Sequence, residues 1–176
     1  MNVWYSLSDI PGNEASVVTI GNFDGMHNGH KKVVSTCIER ARKLGVDAVA
    51  ITFDPHPIQV HRPEVGLQLI SPLCDRLDAM AAAGLDATLV AHYDASVYSL
   101  EAEEFVYEYL VERCGAREVV VGEDFRFGRG NAGTIDTLRE LGSRYGFGVI
   151  TVTDIEAPEG RRWSSSWVRE LLAAGD

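Results

Sequence analysis

Residues 21–30 read Gly-Asn-Phe-Asp-Gly-Met-His-Asn-Gly-His, and this stretch decides the fold. The β-branched run Val17–Ile20 precedes it, as is typical of a buried strand. The segment that follows, Gly29–Leu44, carries apolar residues at helical spacing and stops before Gly45. The stretch therefore lies at a strand-to-helix junction, which is the building unit of an α/β protein.

The two histidines of this stretch, His27 and His30, indicate a site for phosphate. Residues three apart on a helix share a face, and a helix start presents unpaired N–H groups at its positive dipole end. Gly29 between them has no side chain, so a ligand can approach the backbone closely. Two other interpretations stay open. The histidines only cap the helix, or they bind a metal together with His56, although that set has no familiar ligand spacing.

Strand-like runs alternate with helical patterns along the chain. The runs are Val17–Ile20, Ala48–Phe53, Ala87–Ala91, Glu118–Val121 and Gly148–Val152. The helical patterns are Gly29–Leu44, Ser71–Ala83 with Ser71 as its candidate cap, Leu100–Cys114, Thr134–Tyr145 and Trp163–Ala174. Between them, His56–Ile70 is the longest irregular stretch. Continuous apolar strands separated by helices predict a doubly wound, Rossmann-like parallel sheet that is covered on both faces.

Three polar segments each follow one of these predicted strands. They are residues 21–30, residues 54–57 and residues 122–128. In open α/β sheets, ligands bind beyond the carboxyl ends of the strands. The three segments are therefore expected to meet at one edge of the sheet and to form a single site there.

Composition limits the class of ligand and the compartment. The chain has 176 residues, enough for one domain, and its net charge is −10, which argues against nucleic acid as a partner. No apolar run approaches the ~18 residues of a membrane span, and no signal peptide is visible. The three cysteines, Cys37, Cys74 and Cys114, are isolated and are interpreted as buried free thiols. These features predict a cytoplasmic protein without a membrane partner.

A glycine-rich segment at residues 128–133 matches the G-x-G-x-x-G pattern. A dinucleotide fingerprint follows the first strand directly and has an acidic residue about 20 residues further on. The segment here comes late in the chain and several residues past its strand. We therefore interpret it as a flexible loop at the phosphate edge and not as a Rossmann NAD site.

Four segments together resemble one family of enzymes. They are the H-x-G-H stretch, Asp54-Pro55-His56-Pro57, Asp124-Phe125-Arg126-Phe127-Gly128, and Arg162-Trp163-Ser164-Ser165-Ser166-Trp167-Val168-Arg169. Their order and intervals resemble the FMN adenylyltransferase (FAD synthetase) module of bacterial bifunctional riboflavin kinase/FAD synthetases, within the H-x-G-H nucleotidyltransferase superfamily. The resemblance implies that residues 1–176 form one FMN adenylyltransferase domain, and that the riboflavin kinase domain, which could belong to the native chain, is absent from this one.

The resemblance also implies an activity and a set of site residues. The activity is transfer of the adenylyl group of ATP to FMN, which gives FAD and pyrophosphate, with Mg²⁺ accompanying ATP and its protein ligands unknown. The implied catalytic residues are His27, His30 and Asp24, although simple turn chemistry is an equal alternative for Asp24. The implied ATP-binding residues are Gly21, Asn22, Phe23, Gly29, Arg162, Ser164, Ser165, Ser166 and Arg169. The implied flavin-binding residues are Asp54, Pro55, His56, Pro57, Asp124, Phe125, Arg126 and Phe127.

The tail segment departs from the family pattern at two positions. The usual form is close to S-S-T-x-x-R. Here Ser166 replaces the threonine and keeps the hydroxyl, whereas Trp167 stands where many members carry Arg or Thr. Two alternatives to the flavin enzyme stay open, and Trp167 favours only the second of them. One is a nucleotidyltransferase with another phosphate acceptor, and the other is a non-catalytic relative that binds flavin or nucleotide.

Overall fold

The computed structural model describes residues 1–12, 14–153, 155, 157 and 160–175. A single six-stranded sheet in the order β1-β4-β3-β2-β5-β6 forms its centre, and every neighbouring pair of strands is parallel. The strands are β1 (Asn2–Trp4), β2 (Ser16–Ile20), β3 (Asp47–Asp54), β4 (Ala87–His92), β5 (Ala116–Gly122) and β6 (Gly148–Val152). The predicted doubly wound parallel fold is thus confirmed. Asp176, the last residue of the predicted domain, lies outside the described residues.

Seven α-helices occur in the described ranges, together with a π-helix and three short 3₁₀ turns. The α-helices are α1 (Asn28–Leu44), α2 (Pro57–His61), α3 (Leu73–Ala83), α4 (Ala95–Tyr98), α5 (Ala102–Phe105), α6 (Ile135–Tyr145) and α7 (Ser165–Ala174). The π-helix Val106–Arg113 continues directly from α5. The 3₁₀ turns are Leu7–Asp9, Pro63–Val65 and Arg129–Asn131. None of the described helices is long and apolar enough to cross a membrane.

Alternate residues of the central strands face opposite layers of helices. On one face, Val18 and Val119 pack with the π-helix and with α6, for example against Leu110 and Leu138. On the other face, Val17, Ala48 and Val120 pack with α1 and α3, where the partners include Val34, Ala41 and Met80. Because a strand has a period of two, continuous apolar runs supply both layers at once. This explains why the strand-like runs in the sequence do not alternate with polar residues.

The predicted helix ends are close to the observed ones, with one correction. Gly45, Gly84 and Gly146 follow their helices in the left-handed conformation, and Ser164 caps α7. Ser71, however, does not cap α3: that helix begins after Pro72, and its cap has no side-chain hydrogen bond. The Ser71 hydroxyl instead accepts a hydrogen bond from the backbone N–H of Gly25 at 2.9 Å, which is a tertiary contact that local capping rules do not foresee.

Three further features differ from the expectations. Strand β1 was not predicted, because three residues at an edge of the sheet leave almost no periodic pattern. The stretch predicted to be irregular, residues 56–70, contains α2, which begins at Pro57 and is capped by His56. Cys37 and Cys114 are buried, as predicted, but Cys74 is exposed.

The course of the chain fixes where a ligand can bind. From β2 the chain runs through β3 to β4 on one side, whereas β5 and β6 lie on the other side of β2. Neighbouring strands whose connections diverge in this way open a crevice at their carboxyl ends. That crevice lies beyond Ile20 and Val121, where the segments 21–30 and 122–128 begin.

Candidate active site

The turn between β2 and α1 is held in an unusual backbone conformation. Phe23 and Met26 have φ values of 51° and 37°, in the left-handed region that most side chains avoid. A methyl group at Gly21 would lie 3.1 Å from the Phe23 ring, so glycine lets the buried ring fold back under the strand end. Such strain persists only where the surroundings over-determine it, and it is concentrated at functional sites. The turn is therefore a rigid platform for the two histidines.

The rings of His27 and His30 stack on each other with centroids 3.7 Å apart. His27 is the N-cap of α1, and its Nδ1 accepts a hydrogen bond from the backbone N–H of His30 at 3.4 Å. The proton of its neutral ring therefore sits on Nε2 and remains available to a ligand. His30 stands edge-on to Phe23, and its Nδ1 has no hydrogen-bond partner within the described chain. The capping interpretation thus applies to His27, while both rings still face a cavity.

Burial keeps these histidines neutral. It lowers the pKa of His27, with Arg162 adding to the effect, and it lowers the pKa of His30 to about 3. Burial likewise lowers the pKa of His56. Neutral imidazoles can donate hydrogen bonds to phosphate oxygens without carrying a full positive charge into the site.

The low pKa of His30 predicts a loss of stability in mild acid. The unfolded chain binds a proton at His30 below pH 6.5, whereas the folded chain does not until about pH 3. Protons therefore favour the unfolded state, and the free energy of unfolding falls as the pH drops through this window. We expect the His30→Asn variant to lose less stability than the wild type between pH 7.5 and 5.5, as measured by urea unfolding. A cationic His30 ring in ¹⁵N NMR spectra at pH 5.5 would contradict the prediction.

Two cavities meet at the carboxyl ends of the strands. The first, here called the histidine cavity, has a volume of about 290 Å³ and is lined by His27, His30, Asp124, Arg162, Ser164 and Ser165, among others. The second, here called the aromatic cavity, has a volume of about 320 Å³ and is lined by Asn22, Phe53, His56, Tyr93, Tyr98, Phe125, Arg126 and Phe127, among others. Each is close to the size of a small-ligand pocket, and the two have different chemical character.

The two cavities share a wall made of Ile20, Gly21 and Phe125. Gly21 contributes only backbone to this wall, and Phe125 stacks on Phe127 with ring centroids 5.5 Å apart. Molecules bound on the two sides can therefore approach each other at the end of β2. A further space of about 320 Å³ extends the aromatic cavity past Tyr93 and Tyr98 toward His61.

The tail segment closes the histidine cavity from the side of α7. The Ser164 hydroxyl caps the helix by accepting a hydrogen bond from the backbone N–H of Trp167 at 3.2 Å. Arg162 forms an ion pair with Asp124 at 2.5 Å across the cavity mouth. Trp167, the departure from the family pattern, is buried and packs on Trp163, with Arg161 5.3 Å from its ring centroid. Trp167 therefore supports the tail from behind and does not line the cavity.

The structure divides the sequence-predicted residues differently from the expectation at several positions. Asp124, assigned to the flavin side, lines the histidine cavity, because its pairing with Arg162 draws it toward the tail. Asn22, assigned to ATP, lines the aromatic cavity. The following assigned residues line neither cavity: Asp24, Asp54, Pro55, Ser166 and Arg169. Ser166 is exposed. Asp54 forms an ion pair with Arg76, and Asp24 forms one with Arg169.

The glycine-rich segment contains the 3₁₀ turn Arg129–Asn131 and lies at the aromatic cavity. Gly128 and Asn131 line that cavity, and Arg129 forms an ion pair with Glu101. A methyl group at Gly128 would lie 2.8 Å from the backbone of Ala102, so the close approach requires glycine. The segment interpreted as a loop at the phosphate edge thus contributes to the wall of the aromatic cavity.

Sequence reasoning missed Arg76, Tyr93 and Tyr98. Arg76 is fully buried and shares the inner face of α3 with Met80, so a cation on an apolar helical stripe was the available signal. Tyr93 directly follows β4 and Tyr98 ends α4, so the rule about strand ends would have drawn attention to Tyr93.

No group of three or more histidine, cysteine or carboxylate side chains suited to a metal occurs within the described ranges. His56, in particular, faces the other cavity.

Comparison with known proteins identifies relatives over nearly the whole chain. The FAD synthetase family model matches residues 9–167. The bifunctional riboflavin kinase/FMN adenylyltransferase of Escherichia coli K12 is 34% identical over 96% of this chain and 53% of its own length. A Geobacillus thermodenitrificans protein, whose name provisionally assigns the same two activities, is 38% identical over 95% of this chain and 86% of its own length. The chain thus spans about half of the Escherichia coli protein but most of the Geobacillus one.

Solved structures agree on the fold. A Streptococcus pneumoniae crystal structure, described as a macrolide-efflux protein, has a TM-score of 0.83 and 26% identity over 97% of this chain and 56% of its own. A pantoate-beta-alanine ligase from Francisella tularensis has a TM-score of 0.61 over 96% of this chain and 73% of its own, but at 12% identity it shows the fold alone. From the match over residues 9–167 and the identity to named relatives, the chain belongs to the FAD synthetase family.

Proposed function

We propose that the two joined cavities are the substrate sites of an FMN adenylyltransferase, with ATP in the histidine cavity and FMN in the aromatic cavity. As a member of the FAD synthetase family, the chain transfers the adenylyl group of ATP to FMN. An FMN phosphate oxygen attacks the α-phosphorus, the bond to the β-phosphate breaks, and FAD and pyrophosphate are formed. One observation carries the assignment: the cavities share a wall at Gly21, so the two substrates can meet there.

Adenylyl transfer at this junction requires the protein to align the two substrates and to stabilise the negative charge of the transition state. The FMN phosphate is already an anion, so the reaction needs no strong general base. His27 and His30 are placed to donate hydrogen bonds to the α-phosphate and to the leaving-group oxygens. Ser164, Ser165 and Arg162 supply hydroxyls, a helix start and a cation for the β- and γ-phosphates. These local groups hold anions in a protein whose net charge is −10.

The aromatic cavity suits a flavin for a different reason. Phe53, Tyr93, Tyr98 and Phe125 offer flat apolar faces to a heteroaromatic ring. Arg126 lines the same cavity and provides a positive charge for the phosphate tail of FMN. An acceptor that lacks a ring, such as glycerol phosphate, would leave these faces uncovered, which disfavours the alternative acceptors.

We further propose that Mg²⁺ enters as part of the Mg·ATP substrate, with phosphate oxygens and water as most of its ligands. FMN would come from a riboflavin kinase, the second activity in the names of the relatives. A cytoplasmic location is part of this proposal, because all three cysteines are free, as is usual in a reducing compartment.

The decisive experiment is an assay of FAD formation from FMN and Mg·ATP. We expect FAD and pyrophosphate in equal amounts by chromatography and a coupled phosphate assay. Flavin fluorescence should fall as the adenine stacks on the ring. Riboflavin should give neither FMN nor FAD, because it has no phosphate to act as the nucleophile. Reaction of glycerol phosphate or phosphopantetheine, without reaction of FMN, would reject the flavin assignment. ATP and FMN binding without turnover would instead support a non-catalytic relative.

A further inference from the structure

Asp24 is a fully buried carboxylate with a complete set of partners from the protein itself. Its Oδ1 accepts hydrogen bonds from the backbone N–H groups of Ile70 and Ser71, both at 3.0 Å, and from the Ser71 hydroxyl at 3.4 Å. Its Oδ2 accepts from the guanidinium of Arg169. A carboxylate enclosed in this way has no room for a ligand, so its role lies in holding other parts of the chain.

Arg169 lies on α7 and is also satisfied by the protein. Its Nη2 pairs with Asp24, and its Nε donates a hydrogen bond to the carbonyl of Gln68 at 2.8 Å. The pair is largely buried, since the Arg169 side chain is 21% exposed and the Asp24 side chain 1%. A buried ion pair of this kind acts chiefly on geometry, because losing one partner leaves the other charge uncompensated.

A third contact joins the same two elements. The hydroxyl of Ser165, the first residue of α7, donates a hydrogen bond to the carbonyl of Asp24 at 3.0 Å. Ser165 and its neighbour Ser164 line the histidine cavity, whereas Asp24 and Arg169 do not. The N-terminal end of α7 therefore takes its position in the cavity from contacts made outside it.

We propose that Asp24 and Arg169 form a clamp that docks α7 on the turn before α1 and thereby sets the affinity for ATP. Both are positioning residues: they act on ATP only through Ser164, Ser165 and the helix start. This inference rests on the proposed function for its ATP part. It gives Asp24 and Arg169 a positioning role in place of the catalytic and ATP-binding roles that the family resemblance implies.

The test is a double-mutant cycle with Asp24→Asn, Arg169→Met and the two combined. Asp24→Asn keeps the shape and the acceptor oxygen for Ile70 and Ser71, and Arg169→Met keeps the apolar stem. We expect each single variant to raise the ATP dissociation constant about tenfold in calorimetry, and the double variant to be no worse than either. FMN affinity should stay within twofold. Glu170→Gln is the matched control, because Glu170 also lies on α7 and its substitution removes only an exposed ion pair with Arg161.

Hydrogen exchange gives a readout that does not depend on a ligand. Amides of residues 165–174 should exchange faster in both single variants than in the wild type and in Glu170→Gln, with α1 unchanged. Unchanged exchange, or additive effects on ATP binding, would overturn the clamp and favour a direct Arg169–phosphate contact. If exchange rises as expected but even the wild type fails to bind ATP, the link to ATP falls together with the proposed function. If ATP binds and exchange does not change, only the clamp falls.

Discussion

Replacing His30 by alanine should lower the turnover number for FAD formation by about 10²–10³-fold, which is the usual cost of losing one donor to a developing oxyanion. The dissociation constant of ATP should change far less, because the donor acts where charge grows in the transition state. The neutral ring of His30 stacks 3.7 Å from that of His27 and lines the cavity assigned to ATP. Its loss removes that donor while leaving the cap of α1 in place.

Steady-state kinetics and calorimetry on the same preparations separate the two effects of this substitution. His92→Ala is the matched control, because His92 is an exposed histidine at the end of β4. It should turn over at the wild-type rate. His27→Ala should lower turnover as well but should also cost about 1 kcal/mol of stability, since His27 caps α1. Near-wild-type turnover of His30→Ala would remove the ring from the reaction.

Strands β2 to β6 could be predicted because the signals that mark them are local. Five apolar runs fall within one or two residues of β2 to β6, and glycines mark the ends of α1, α3 and α6. The carboxyl-end rule then placed residues 21–30, 54–57 and 122–128 at one edge. No step of this reasoning needed contacts between distant parts of the chain.

Which cavity or partner each side chain of the site faces could not be predicted, because this depends on contacts between distant parts of the chain. Asp24 meets Arg169 across most of the chain length, and Ser71 meets Gly25. A carboxylate in a glycine-rich turn looks the same in sequence whether it faces a ligand or an arginine. Adjacent residues of one segment also face different cavities, as Asp124 and Arg126 do. Motifs therefore identify the edge of the sheet and leave the direction of each side chain open.

Arg76 is the clearest case of a residue whose importance only the fold reveals. Its fully buried guanidinium donates hydrogen bonds to the carbonyls of Asn22 at 3.0 Å and Phe53 at 3.2 Å, and it pairs with Asp54 at 3.2 Å. It thus ties the end of β3 to the turn after β2. Both ends contribute to the aromatic cavity, through Asn22 and Phe53. The helix α3 therefore stabilises the position of the proposed FMN site from beneath.

Replacing Arg76 by methionine should lower the free energy of unfolding by about 3 kcal/mol, because buried carbonyls that lose their donor each cost roughly 1–3 kcal/mol. The apolar stem is kept, so the loss does not come from an empty space. Urea unfolding at pH 7.5 measures it, with Arg139→Met as the control, since Arg139 forms an exposed pair worth little. Arg76→Lys keeps the charge but has no planar fork, and it should fall between the two. Equal unfolding midpoints for Arg76→Met and the wild type would show that water satisfies these carbonyls as well as the guanidinium does.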